Sequence, residues 1–304
     1  MQRGFAFSIA ALLLLWLPGL SFAQGSVEDR LAEGLPPLVI AHRSAVLGDH
    51  PENTLAWIEH GIERGVDMLH INPQLTADGN YVLMHDQTLN RMTDVERVYP
   101  DGPPGGPTRA QRGGLDFVRD YTLEEIRRLQ IVGGEDGGGY PVPSLSEAIE
   151  QVGGRALLLL GLKSYDVQGL AGILRQHESQ NLLLYELYYS GTDQSRLREL
   201  AELSGVPVGV SLFRSTDYLA DLEGIRDQLG PHLRMLTVGA RGLTPEFLSR
   251  VDELGLHLAI SGWRTGEDYA LIEDSNPDPW QTVIDAGHSI STDQPDAVLQ
   301  LLGR

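Results

Sequence analysis

The chain has 304 residues, 41% hydrophobic and 21% charged, enough apolar material for a sizeable core in one large α/β domain or two small ones. A formal net charge of −19 argues against nonspecific binding to nucleic acid or to anionic membranes. The absence of cysteine excludes disulfides, thiolate metal sites and lipid attachment at a cysteine.

The first stretch has the pattern of an export signal. Arg3 supplies a positive start, residues 5–17 an apolar run, and Ser21-Phe22-Ala23 small residues before a cut after Ala23. The apolar run falls short of the ~20 residues a spanning helix needs, which weighs against an uncleaved anchor. The mature protein is therefore expected outside the cytoplasm, periplasmic or secreted, with no stable membrane insertion. Residues 24–37, ending in Pro36-Pro37, read as a linker.

Apolar runs then recur at 38–41, 66–71, 156–162, 182–187, 206–212, 233–238, 256–261 and 288–292. They are continuous rather than alternating, as expected of strands buried on both faces of a parallel sheet. Helical periodicity fills 54–64, 144–152, 195–204, 217–229 and 245–254. Strands alternating with helices in this way predict a (β/α)8 TIM barrel over residues 38–304. Thr76-Ala77-Asp78-Gly79-Asn80 is a tight-turn signal, so residues 81–84 are expected to form a hairpin return and not a ninth barrel strand. After that hairpin, residues about 97–140 are long and rich in Gly and Pro, with a helix-like stretch at 122–129. Two readings stay open for them: a βα-loop insertion over the barrel mouth, or a disordered surface loop.

In such a barrel the C-terminal ends of the strands carry the chemistry. His42 ends the first strand, His70 and Asn72 the second and Lys163 the third. Histidine titrates near neutrality and suits acid and base roles in catalysis. Arginine at Arg43 has the planar fork that pairs with phosphate.

Val39-Ile40-Ala41-His42-Arg43, Pro51-Glu52-Asn53-Thr54-Leu55 and Val82-Leu83-Met84-His85-Asp86 through Arg91-Met92-Thr93 together resemble the glycerophosphodiester phosphodiesterase family. The likeness is dense over residues 38–96 and thin elsewhere. It implies that His42 and His85 are the acid–base pair, with the order between them open. It also implies that Arg43, Asn53 and Lys163 bind substrate, a small-molecule phosphodiester, that Asn53 anchors its loop as well, and that Asp86 orients His85 or its loop. Glu52 is expected as a cap of the following helix, and Asp293, in a TDxP-like segment, mainly as another cap. Trp263 either lines the pocket or covers the barrel end. The six remaining histidines, His50, His60, His177, His232, His257 and His288, match no motif and read as surface or core residues.

The family's acids for calcium or magnesium are replaced here by His70, Asn72 and Gly161. Hard cations want several oxygen ligands, mostly carboxylate. No cofactor is therefore expected, and Arg43, Lys163 and a protonated His70 are candidates for the cation's role, as cationic side chains serve in metal-independent bacterial phospholipases of related fold. Two function classes follow: a phosphodiesterase using two-histidine chemistry without the metal, or a catalytically inactive phosphoester-binding barrel.

Overall fold

The computed structural model describes residues 26–32, 35–133, 139–177, 180–188, 195–212 and 215–304; the stretch read as an export signal lies outside them. Twelve strands are assigned: β1 (Val39–Ala41), β2 (Met68–Ile71), β3 (Pro73–Leu75), β4 (Tyr81–Leu83), β5 (Gln130–Ile131), β6 (Tyr140–Pro141), β7 (Leu157–Gly161), β8 (Leu182–Tyr188), β9 (Val208–Leu212), β10 (Leu233–Val238), β11 (His257–Ser261) and β12 (Ser289–Thr292). β1, β2 and β7 to β12 close a parallel barrel in the order β1-β12-β11-β10-β9-β8-β7-β2. These are the eight apolar runs of the sequence, and the fold is a (β/α)8 TIM barrel.

The period of two along each strand separates two cores. Leu158 and Leu160 of β7 pack outward under the helices, whereas Leu157 and Leu159 fill the interior with Ile40, Met68, Leu183, Met235 and Ala259. Helices cover the outside. Leu55–Glu63 begins where the Thr54 hydroxyl accepts from Trp57 N at 3.1 Å, and it turns buried Trp57 and Ile58 to the sheet. Leu145–Val152 starts with a capping box between Ser144 and Glu147 and ends at Gly153, whose φ of +51° suits glycine.

The stretch read as a linker is partly structured. Val27–Arg30 is a short helix closed by a Ser26–Asp29 capping box, and fully buried Val27 plugs the N-terminal end of the barrel. The apolar Val27 side chain completes the interior layer that Leu38 and Ile40 begin, and Val27 N donates to Gln180 O at 2.7 Å.

β3 and β4 form the hairpin around the Thr76 turn, with Gly79 at φ +80°. β4 pairs with β3, the continuation of the chain beyond β2. Beyond it, Leu89, Met92, Val95, Val118, Tyr121, Ile126 and Leu129 gather with Val82 and Met84 in a cluster separate from the barrel core. Among the described residues no helix is long and apolar enough to cross a membrane.

Candidate active site

The inward-facing parity that gives an apolar interior reaches polar residues at the mouth. Two residues beyond Ile40, Met68 and Leu159 stand His42, His70 and Gly161; beyond Gly209, Met235, Ala259 and Ser289 stand Ser211, Thr237, Ser261 and Ser291. All line one cavity of about 410 Å³ at the C-terminal end of the strands, together with Arg43, Asn72, His85, Lys163, Tyr185 and Trp263.

His42 is 8% exposed, and its Nδ1 lies 2.8 Å from Asp293 Oδ1. The Ser44 hydroxyl donates to the same carboxylate oxygen at 2.8 Å. A carboxylate can only accept, so Nδ1 carries the proton and Nε2 is left with its lone pair. The ring stacks on Trp263 at 4.4 Å with planes 4° apart. Trp263 thus lines the pocket. Asp293 is not a helix cap, because the capping position is Gln294 and the carboxylate is engaged by His42. Burial pushes the Asp293 carboxyl up, but the bonds from His42 and Ser44 outweigh it and hold it below the ordinary value. Behind it, buried Asp268 accepts from Asp293 N at 2.7 Å, Thr292 Oγ1 at 2.5 Å and Trp280 Nε1 at 3.0 Å. Asp268 sits in no recognisable motif, and no sequence pattern pointed to it.

His85 has the same arrangement at short range: Nδ1 lies 2.7 Å from Asp86 Oδ1. From there an ion-pair chain runs through Arg91 to Glu52 and on to Arg43, whose Nη1 donates to Glu52 Oε2 at 2.7 Å. It ties the two motifs together. Glu52 therefore holds two arginines and does not cap the helix, a role taken by Thr54. Burial raises Asp86, but the bonds from Arg91 and His85 prevail and bring it to about 2. Lys163 Nζ donates to His85 O at 2.6 Å and lies 2.9 Å from His85 Nε2. With Nδ1–H directed at Asp86, Nε2 accepts from the ammonium. Burial and the nearby Lys163 and Arg43 charges lower the His85 pKa against the opposing pull of Asp86. Lys163 is exposed as a whole, but loss of water around its ammonium, with repulsion from Arg43 adding and Asp86 opposing, lowers its pKa to about 8. Arg43 Nε is buried without a hydrogen-bond partner among the described residues.

Asn53 keeps the anchoring half of its expected role but not the pocket-lining half. It is 2% exposed, takes a φ of +61°, and its Oδ1 accepts from Asn72 N at 2.8 Å. It does not line the cavity; it fixes the end of β2 from behind. Of the expected substrate-binding residues, Arg43 and Lys163 reach the cavity.

The family's cation does not fit these residues. Among the described residues no carboxylate lines the cavity, and no three histidine, aspartate or glutamate side chains gather as a metal-holding group. A Cβ on Gly161 would lie 2.3 Å from His70 Nε2 and 2.4 Å from Asn72 Nδ2, so those two side chains fill the room an acid at 161 would need. Nor is His70 a protonated substitute: burial, aided by charge at His42, His85, Lys163 and Arg43, pushes its pKa well below the ordinary value. Among the described residues Arg43 and Lys163 are left as the cationic groups lining the cavity.

The sequence model of the glycerophosphoryl diester phosphodiesterase family matches residues 42–196. A glycerophosphodiester phosphodiesterase of Caldanaerobacter subterraneus is 37% identical over 127 residues, 40% of this chain and 43% of that protein. The matched stretch thus spans less than half the length of that relative. A glycerophosphoryl diester phosphodiesterase from Parabacteroides distasonis shares the fold with a TM-score of 0.69 at 23% identity, covering 92% of this chain and 93% of that one. An Oleispira antarctica phosphodiesterase, solved with the product sn-glycerol-3-phosphate, gives a TM-score of 0.64 at 21% identity over 88% of this chain and 98% of that one.

Proposed function

The chain belongs to the glycerophosphoryl diester phosphodiesterase family, and from that premise we propose that it hydrolyses a glycerophosphodiester or a related phospholipid-derived diester without the family's divalent metal. The observation that carries this reading is the convergence of two histidine–aspartate pairs on one cavity that also presents Arg43 and Lys163. Each carboxylate sets the tautomer of its imidazole and stabilises the charge that appears when the ring takes a proton.

Arg43 and Lys163 neutralise the non-bridging phosphate oxygens. A hydroxyl of the glycerol attacks phosphorus as one histidine takes its proton. The bond to the leaving alcohol breaks as the other histidine, protonated, delivers a proton to the alkoxide. The resulting cyclic phosphate is opened by water with the roles reversed. Lys163 occupies His85 Nε2 in the free protein, so an arriving phosphate must draw the ammonium away before that nitrogen can act.

The test is release of alcohol from glycerophosphodiesters by purified protein, with and without chelator. Turnover that survives chelation is expected. Turnover abolished by chelator and restored by calcium would end the metal-free reading. Phosphoester binding without cleavage of any diester would favour the inactive binding barrel. Export is proposed on the pattern of residues 1–23; it predicts a mature N-terminus near Gln24, and full-length cytoplasmic protein in the native host would contradict it.

A further inference from the structure

Asn72 follows β2, is 2% exposed and faces the cavity. Its amide nitrogen donates to Gly161 O at 3.3 Å and lies 3.4 Å from His70 Nε2. A carbonyl can only accept, so this contact fixes which end of the amide is nitrogen. The other end, Oδ1, is buried and has no donor among the described residues. A buried acceptor without a donor is costly to keep, and in a ligand cavity the ligand is its natural partner.

The surroundings restrict what that donor can be. Arg43 and Lys163 open onto the same cavity, and among the described residues no carboxylate lines it, so a substrate ammonium would meet two like charges and no carboxylate to pair with directly. A neutral hydroxyl would not. The far wall is also neutral and hydroxylated: Ser211, Thr237, Ser261 and Ser291 stand at the ends of consecutive barrel strands β9 to β12.

Resting on the phosphodiester reading above, we propose that Asn72 Oδ1, the unpartnered end of an amide whose nitrogen lies over Gly161, accepts a hydrogen bond from a hydroxyl on the alcohol of the phosphoester. The alcohol it selects is a neutral polyol of glycerol type, and amino alcohols are disfavoured. Asn53 holds the Asn72 backbone from behind, and the missing side chain at Gly161 gives the amide its place. A neutral acceptor thus orients the substrate hydroxyl where the family has acids.

The experiment titrates the full chain by calorimetry, in chelator, with glycerol 3-phosphate, n-propyl phosphate and 2-aminoethyl phosphate. Glycerol 3-phosphate should bind roughly ten-fold or more tightly than n-propyl phosphate, the scale of one satisfied buried hydrogen bond, and 2-aminoethyl phosphate should bind no better than n-propyl phosphate. Asn72→Leu should erase the glycerol preference while leaving n-propyl phosphate binding in place. Gly161→Ala should do the same without removing a polar group, because its Cβ displaces both His70 and Asn72; thermal melts establish that each variant is folded. Equal affinity for the first two ligands in the unaltered protein, a preference that survives both variants, or tightest binding of 2-aminoethyl phosphate would overturn the assignment of Asn72 while the phosphoester reading stands. If none of the three ligands nor inorganic phosphate binds, the phosphoester reading falls and the assignment with it.

Discussion

His42 Nδ1 and Asp293 Oδ1 lie 2.8 Å apart although 251 residues separate them. Parallel pairing of β1 with β12, with Ala41 beside Thr292, brings the two strand ends together. The same relation is local at the second histidine, where Asp86 is the next residue after His85. One pair depends on closure of the whole barrel, the other only on a loop held by Arg91 and Glu52.

His42→Asn and His85→Asn are each expected to lower diester hydrolysis by about 100-fold or more, the usual scale for loss of a general acid or base. Asp293→Asn removes the carboxylate that holds the Nδ1 tautomer, so it should lower turnover by at least about 10-fold and change the pH profile. Asp268→Asn should act through Asp293 and show the same altered profile in milder form. Rates of the two histidine variants equal to the unaltered enzyme would remove the acid–base assignment.

The Lys163 ammonium donates to His85 Nε2 and competes with protonation of that nitrogen. Lys163→Met removes both the competing donor and a neighbouring positive charge. The His85 pKa should therefore rise, and its NMR titration midpoint should move to higher pH. Phosphate affinity and turnover should fall together, by roughly 10- to 100-fold for one lost electrostatic contact to the reacting group. An unmoved His85 midpoint would mean that the Lys163 contact has no hold on this imidazole.

Much of the barrel could be read from the sequence because its eight strands are buried on both faces and therefore read as continuous apolar runs. His42, Arg43, His85 and Lys163 could be read because each lies in or beside a motif at a strand end. The Asp293 contact could not, since sequence spacing does not say which strand ends become neighbours when a barrel closes. The same holds for Asp268, which reaches the site only through Asp293 and Thr292. Asn53 was assigned to substrate because the motif names a residue without saying which way it faces, and its φ of +61° turns it behind β2. The helical plug at Val27–Arg30 is too short to show a period, and its apolar anchor is the single residue Val27.

Metal binding should be restorable only as a set. Gly161→Glu alone drives its Cβ within 2.3 Å of His70 Nε2, so it should destabilise the protein by about 1–3 kcal/mol, the range for overpacking. Combining it with His70→Glu and Asn72→Asp clears that space and supplies three carboxylates, and the triple variant should gain calcium affinity measurable by calorimetry. Micromolar calcium binding between β2 and β7 in the unaltered protein would contradict this account of the site.

At the opposite end of the barrel, His257 should govern acid stability and not turnover. Its Nε2 lies 2.7 Å from Ser289 Oγ, which itself accepts from Leu38 N at 2.8 Å. The Ser289 hydroxyl keeps its own proton to donate to an unprotonated His257 Nε2. Burial lowers the His257 pKa to about 4, with His288 adding to the effect and the Leu31 backbone opposing it. In the unfolded chain the imidazole takes its proton near its ordinary value of 6.5, and in the folded chain only near 4. Between those values the unfolded state binds more protons, so stability is lost as pH falls from 6.5 toward 4 and recovers as pH rises. The loss from this group has an upper bound of roughly 3 kcal/mol. His70 has the same sign and adds to the slope. Urea unfolding of the unaltered protein and of His257→Gln between pH 4 and 7 checks this. The variant should start less stable at pH 7 and lose less on acidification, with its turnover at neutral pH unchanged. Parallel stability curves for the two proteins would show that His257 is not the group being titrated.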